Sequence, residues 1–190
     1  MFLDRDGVLI EDKHYLCDPI QVVLCPGVKM LLKQAKKINL PVIVITNQSG
    51  IARGFFNWQA YERVTDRLLE LLGSTAPLAG IYANGHGPDA PVNCWRKPSP
   101  AMLLAAAADL NLDLSRSLLI GDRLSDLQAG KRAGLPWLVH VLTGHGAKER
   151  HEVEHWGTQI QKTTTKNSSF ELMLQQSLLD FPIHKIAHTE

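Results

Sequence analysis

The chain has no apolar run of the roughly 18 residues that a membrane span requires, and charge arrives at Asp4 before an apolar leader could form. Its three cysteines, Cys17, Cys25 and Cys94, are odd in number and show no paired spacing. That argues against a disulfide framework and fits a reducing compartment. No basic block marks a nucleic-acid footprint: 20 Lys and Arg stand against 19 Asp and Glu, scattered or in short helical clusters such as KQAKK. Internal repeats and a clear second domain are also lacking, and 190 residues are enough for one core but few for two. The expectation is a single cytoplasmic domain over 1–190, monomeric, without nucleic acid or membrane as a partner.

What is present alternates. MFL is an apolar stub, and GVKMLLKQAKKI from Gly27 has apolar residues at helical spacing with lysines opposite. LPVIVITNQSG is a continuous β-branched run ended by turn formers, which suits a strand covered on both faces. NWQAYERVTDRLLELLG reads as a helix stopping at Gly73, and LAGIYANGHG as a third strand. SPAMLLAAAADLNL is helical, with Ser99 as cap and Pro100 at its first position. SRSLLIGD is a fourth strand, LSDLQAGKRAG a helix closed by Gly134, and PWLVHVLTG a fifth strand. Strands alternating with helices predict crossover units and a parallel sheet. The fold class is therefore α/β, a three-layer Rossmann-like sandwich. Beyond residue 145 the chain is polar, with one helix expected near FELMLQQSLL, capped by Ser168 or Ser169, and a frayed tail after it.

The opening MFLDRDG places two carboxylates directly after a buried strand. Like charges so close repel unless a cation sits between them. In such sheets ligands gather outside the carboxyl ends of the strands. DRD, TNQSG and GD fall at three of those ends. Asp4 and Asp122 are suited to share Mg²⁺, which prefers a few carboxylate and carbonyl oxygens. Thr46, Asn47 and the following turn offer a hydroxyl and backbone N–H groups for phosphate oxygens. Lys97 adds a positive charge just before a helix. These are the parts that phosphoryl transfer needs, since its transition state is stabilised mostly by position and charge.

At these residues the sequence resembles the haloacid dehalogenase superfamily of phosphohydrolases: FLDRDG, TNQSG, RKP and GDRLSD look like its four motifs, in order. LDRDGVL, TNQSGIARG, CWRKPSPAML and GDRLSDLQAG resemble more narrowly the branch of heptose-bisphosphate and histidinol-phosphate phosphatases. The resemblance covers roughly residues 2 to 144. It implies that Asp4 is the nucleophile forming an aspartyl-phosphate. Asp6 would be the acid and base, and Mg²⁺ would be held by Asp4, the Asp6 carbonyl and Asp122. Thr46, Asn47 and Lys97 would bind the transferring group with Arg96 beside them, in a turn that continues through Gln48 and Ser49. Asp12, Lys13, His14, Tyr15 and Arg123 would lie where the family contacts substrate. Asp126, one helical turn after Asp122, would support the metal ligand rather than bind. The substrate is expected to be a small phosphate ester, heptose 1,7-bisphosphate first and histidinol phosphate as the alternative. The absence of a long insertion after either of the first two motifs implies a minimal cap and an open site.

The chain also departs from that branch. Many members hold structural zinc through Cys-x-His and Cys-x-Cys, but here the positions read Asn84, His86, Asn93 and Trp95, with Cys94 between the last two. One match of four is no site, so structural zinc is not expected. Only three residues precede Asp4, where a central strand has about five or six; either the first strand is unusually short or the protein begins upstream. After residue 145 no match to the family is evident. HEVEH, His151 to His155, fits the H-E-x-x-H zinc pattern, but its surroundings are polar and only Glu171 is near as a third ligand. An exposed charged helix is the expectation there.

Overall fold

The computed structural model describes residues 1–75, 78–91, 94–163 and 170–183. Six parallel strands form one sheet in the order β3-β2-β1-β4-β5-β6. They are β1 (Phe2–Leu3), β2 (Val42–Asn47), β3 (Leu78–Asn84), β4 (Leu118–Gly121), β5 (Trp137–His140) and β6 (Glu171–Leu174). The helices are α1 (Val28–Lys37), α2 (Ser49–Ala52), α3 (Trp58–Leu72), α4 (Ala101–Leu110), α5 (Leu124–Arg132) and α6 (Gly146–Thr163). Among the described residues no helix is long and apolar enough to cross a membrane.

Alternation along the strands makes the two faces. Phe2, Ile43, Ile45, Leu119 and Leu138 pack against Met102, Leu103 and Ala106 of α4, Leu127 of α5 and Val153 of α6. Leu3, Val44, Ile120 and Val139 face the other way, onto Val28, Leu31 and Leu32 of α1 and Val64 and Leu68 of α3. This is the period of two that a sheet covered on both sides demands. Strand β1 is two residues long yet lies in the middle: Phe2 pairs with Ile43 and Leu119, and Leu3 with Val44 and Ile120. Asp4 N–H adds one more bond to the Ile120 carbonyl at 3.0 Å, so the sheet's central ladder runs directly into the first carboxylate.

Helix limits follow their caps. Asn57 accepts from Ala60 N–H at the start of α3, and Gly73 ends it at φ 54°. Ser99 Oγ accepts from Ala101 N–H, so α4 begins one residue later than Pro100.

The tail corrects one expectation. Glu171–Leu174 is a strand, not a helix, and pairs in parallel with β5 through Trp137↔Glu171 to His140↔Leu174. Leu172 packs on one face of the sheet and Met173 on the other. The local residues favour helix, but a four-residue window carries no decisive period, and the open edge of β5 supplies the ladder. Ser168 and Ser169, expected as its cap, lie outside the described residues. HEVEH lies within α6, and of its five residues Val153 is buried and His151, Glu152, Glu154 and His155 are exposed. That matches the exposed helix expected.

Candidate active site

Four strand ends and one loop build the site. Asp4, Arg5 and Asp6 follow β1; Thr46 and Asn47 end β2, with Gln48 and Ser49 after them. Asp122 and Arg123 follow β4; Thr143 to His145 follow β5; and residues 94–99 lead into α4. Lys97 is the centre. Its side chain is 1% exposed, and Nζ lies 2.9 Å from Asp4 Oδ1 and 2.7 Å from Asp126 Oδ1. It also donates to the Ile45 carbonyl at 3.0 Å. Asn47 holds the lysine's backbone from both sides, its Nδ2 donating to Lys97 O and its Oδ1 accepting from Lys97 N–H, each at 3.1 Å. The third motif is thereby stapled to the end of β2.

Three carboxylates meet beside that ammonium. Oxygens of Asp4, Asp122 and Asp126 all lie within 4.8 Å of one another, and all three residues are buried. Burial pushes the Asp4 carboxyl up to about 7; Lys97 opposes this, and Asp126 and Asp6 add to it. Burial, then the Asp126 and Asp4 charges, hold Asp122 well above the usual carboxylate range, against its bond from His145 and the nearby Arg123. For Lys97 burial works against the charge, but Asp126 and Asp4 together outweigh it and raise its pKa.

One ammonium does not neutralise three carboxylates. Asp126 spends Oδ1 on Lys97 and accepts Arg123 N–H at Oδ2, the 3.0 Å bond that opens α5. Asp122 Oδ2 accepts His145 N–H at 2.7 Å, while Asp122 Oδ1 is buried with no partner among the described residues. The Asp6 carbonyl also accepts no hydrogen bond there. The orphan oxygen of Asp122, with the Asp4 carboxylate within 4.8 Å, fits a hard divalent cation such as Mg²⁺.

The backbone around Asp122 is fitted to it. Gly7 at φ 82° and Gly144 at φ 60° close over the carboxylate, and a methyl on either would come within 2.3 Å of Asp122 Oδ2. From behind, His140 Nε2–H bonds the Asp122 carbonyl at 2.9 Å. Arg150 Nε donates to His140 Nδ1 at 3.0 Å, which assigns the ring proton to Nε2. Burial lowers the pKa of His140, keeping it in that neutral form.

In front lies a cavity of about 230 Å³. Of the residues singled out from sequence, Asp4, Asp6, Asp12, His14, Tyr15, Asn47, Gln48, Ser49, Arg96, Lys97 and Arg123 line it. Lys13, Thr46 and Asp122 do not. His14 and Tyr15 adopt left-handed backbone (φ 52° and 62°). That turn lays Tyr15 against Phe55 at 4.5 Å and leaves Lys13 exposed beside Glu11. Thr46 is buried, and its Oγ1 accepts from Gln48 Nε2 at 2.7 Å. Arg96 sits among cations: burial lowers its pKa, Cys94 opposes, and Arg53 and Arg123 lower it further.

Two residues were not singled out. Arg5, 1% exposed, bonds Asp6 and Gln48 and stacks over Tyr61 at 5.0 Å. Position between two site acids was its only signal, and an arginine there reads as solvated. His145 bonds Asp12 Oδ2 at 2.8 Å. It follows the fifth strand, so the rule that ligands gather at strand ends would have found it.

In the loop after β3, His86 Nδ1 meets Asn84 Oδ1 at 2.9 Å, Cys94 Sγ accepts Arg96 N–H at 3.3 Å, and Trp95 lies 5.9 Å from the Tyr82 ring. Asn93 lies outside the described residues.

Comparison with known proteins gives concordant findings. Residues 94–165 match the model of the HAD-hydrolase-like family, reaching beyond residue 145, where no match was evident from sequence. The chain is 47% identical over 148 residues to D-glycero-beta-D-manno-heptose-1,7-bisphosphate 7-phosphatase of Mesorhizobium japonicum, covering 73% of this chain and 68% of that protein. It is 36% identical over 151 residues to the enzyme of the same name in Escherichia coli K12, covering 76% and 79%. Its fold is similar to that of D,D-heptose 1,7-bisphosphate phosphatase of B. bronchiseptica, solved with magnesium and phosphate. That likeness has a TM-score of 0.75 and 29% identity, over 94% of this chain and 92% of the other.

Proposed function

The chain belongs to the haloacid dehalogenase-like hydrolases, in the branch of the heptose-1,7-bisphosphate 7-phosphatases, and as a phosphoric monoester hydrolase of that branch we propose that it cleaves heptose 1,7-bisphosphate to the 1-phosphate through an aspartyl-phosphate on Asp4. Asp4 Oδ1 is fixed by Arg5 N–H at 2.7 Å and by Lys97, while Oδ2 accepts no hydrogen bond among the described residues. Oδ2 is the atom that attacks phosphorus. As the ester P–O bond breaks, the leaving oxygen takes a proton from Asp6. Asp6, now a carboxylate, takes a proton from water. That water's oxygen attacks the phosphoryl group, the bond to Asp4 breaks, and inorganic phosphate leaves. Lys97 faces the transferring oxygens from the side of Asp4. Asp4, the Asp6 carbonyl and Asp122 would hold Mg²⁺, which would supply the positive charge that lets an anionic nucleophile approach an anionic ester.

The observation that carries the substrate is the gathering of Arg53, Arg96 and Arg123 on one cavity that already holds Lys97. Cations that repel one another at a site mouth are the complement of a second anionic group. A bisphosphate has one; histidinol phosphate brings a cation instead. Phosphate release should be measured with both substrates, with Mg²⁺ and with EDTA. The expected result is a kcat/KM favouring the heptose bisphosphate and loss of activity in EDTA and in Asp4→Asn. Full activity of Asp4→Asn would refute the mechanism. A preference above about tenfold for histidinol phosphate, roughly 1.4 kcal/mol, would refute the substrate.

A further inference from the structure

The carboxylate of Asp6 does not stand free at the cavity. Arg5 Nη2 donates to Asp6 Oδ1 at 3.0 Å and Arg5 Nε to Asp6 Oδ2 at 3.2 Å. Gln48 Nε2 donates to Asp6 Oδ2 at 2.8 Å. Arg5 Nη2 also donates to Gln48 Oε1 at 3.0 Å, which closes a ring of three side chains. The ring is anchored at every corner but one. The second Nε2 proton of Gln48 goes to Thr46 Oγ1 at 2.7 Å, and its backbone N–H goes to the Asn84 carbonyl at 2.7 Å. Arg5 stacks on Tyr61. Arg5 and Gln48 are 1% and 4% exposed, whereas the Asp6 side chain is 24% exposed and lines the cavity. The amide of Gln48, expected from sequence at the substrate, is spent on protein.

We propose that Arg5 and Gln48 are positioning residues that fix the Asp6 carboxyl at the angle from which it hands a proton to the leaving oxygen. This rests on Asp6 being the general acid of the proposed function. Two charge-assisted bonds from a planar guanidinium set the plane of the carboxyl group, and the amide bond selects its rotation. A carboxyl left free to rotate beside the cavity would lose that geometry, and proton transfer is sensitive to small displacements.

A positioning role through a general acid has a signature that a structural role lacks. An alcohol leaves as a strongly basic alkoxide and needs the proton; 4-nitrophenolate is weakly basic and leaves without it. Full-length Asp6→Asn, Gln48→Met and Arg5→Lys should each be compared with the native protein in kcat/KM, which reports steps up to phosphorylation of Asp4, on heptose bisphosphate and on 4-nitrophenyl phosphate. Thermal melts would verify that each folds. For Asp6→Asn the loss on the alkyl ester should exceed the loss on the aryl ester by about 100-fold or more. For Gln48→Met and Arg5→Lys the excess should be about tenfold. Equal losses on both esters in Gln48→Met and Arg5→Lys, with Asp6→Asn still selective, would overturn the positioning role and leave the general acid standing. Equal losses in Asp6→Asn itself would overturn the general acid. If Arg5→Lys does not fold, Gln48→Met decides alone, because methionine keeps the shape of the side chain and removes only its polar atoms.

Discussion

In the absence of metal, Asp4→Asn should make the protein more stable at alkaline pH, although it removes a salt bridge. The Asp4 carboxyl is buried, and that burial raises its pKa to about 7 from the 3.8 of an unfolded chain. A carboxyl raised on folding contributes stability that is fully present below its unfolded pKa and is lost as pH rises through the folded value. The loss therefore runs from about pH 4 to pH 7 and reaches on the order of 4 kcal/mol above it. Burial is the largest cause, and the Lys97 contact at 2.9 Å does not cancel it. Asparagine has nearly the shape and dipole of the protonated carboxyl and does not titrate. The difference between the two proteins thus reports Asp4 together with Asp122 and Lys97, whose ionisation its charge shifts. In EDTA at pH 8 the variant should melt higher, by on the order of 10 °C for a chain of this size. At pH 4 the two should agree to within about 2 °C. Adding Mg²⁺ at pH 8 should narrow the gap, since the ion binds the ionised native site and a ligand at 100 times its Kd stabilises by about 2.7 kcal/mol. Scanning calorimetry across pH with EDTA or Mg²⁺ measures all of this. A variant that melts at or below the native protein in EDTA at pH 8 would refute the reasoning, because it would mean that the Lys97 pair outweighs burial.

Lys97→Met leaves Asp4, Asp126 and Asp122 without their ammonium, and breaking a buried pair costs about 3–5 kcal/mol. A drop in Tm of about 10 °C at pH 8 that shrinks at pH 5, where Asp4 and Asp122 take up protons, is expected by calorimetry, and an equal drop at both would count against it. Gly144→Ala places a methyl 2.3 Å from Asp122 Oδ2 and 2.5 Å from Gly7 Cα at a left-handed position. It should destabilise by about 1–3 kcal/mol and weaken the Mg²⁺-induced shift in Tm, as read by thermal melts. Arg96→Ala removes one charge-assisted contact of about 1.5–3 kcal/mol. Its KM should rise roughly 10- to 100-fold for heptose bisphosphate with a far smaller change for a monophosphate of similar size, and equal changes would remove Arg96 from the second anion site.

The order of strands and long helices to residue 144 was legible because each of these carries its own local signal, whereas the one-turn α2 (Ser49–Ala52) lies where the sequence read as a turn. Val42 to Ile45 form a doubly covered strand by composition alone, and Asn57 and Gly73 cap α3 by their own side chain and backbone freedom. The site was legible for a related reason: in a parallel sheet every strand's carboxyl end lies on one edge, so Asp4, Thr46 and Asp122 had to meet once the alternation was granted. Strand β6 was hidden, since what makes Glu171–Leu174 extended is the unpaired edge of β5, a partner more than 30 residues away in sequence. The roles of Gln48 and Asn47 within the site were hidden as well. Both read as groups free for a phosphate, and only packing decided that Asn47 staples Lys97 and that Gln48 bonds Asp6 and Thr46. Arg5 is the sharpest case. In sequence it is a charge between two acids, which implies solvent; in the fold it is nearly inaccessible, because Tyr61 covers it and the carboxylate of Asp6 turns to meet it. The sequence determined which groups arrive at the edge of the sheet. Their pairing depends on distances of a few ångströms between chain-distant atoms, and those exist only after the helices have packed.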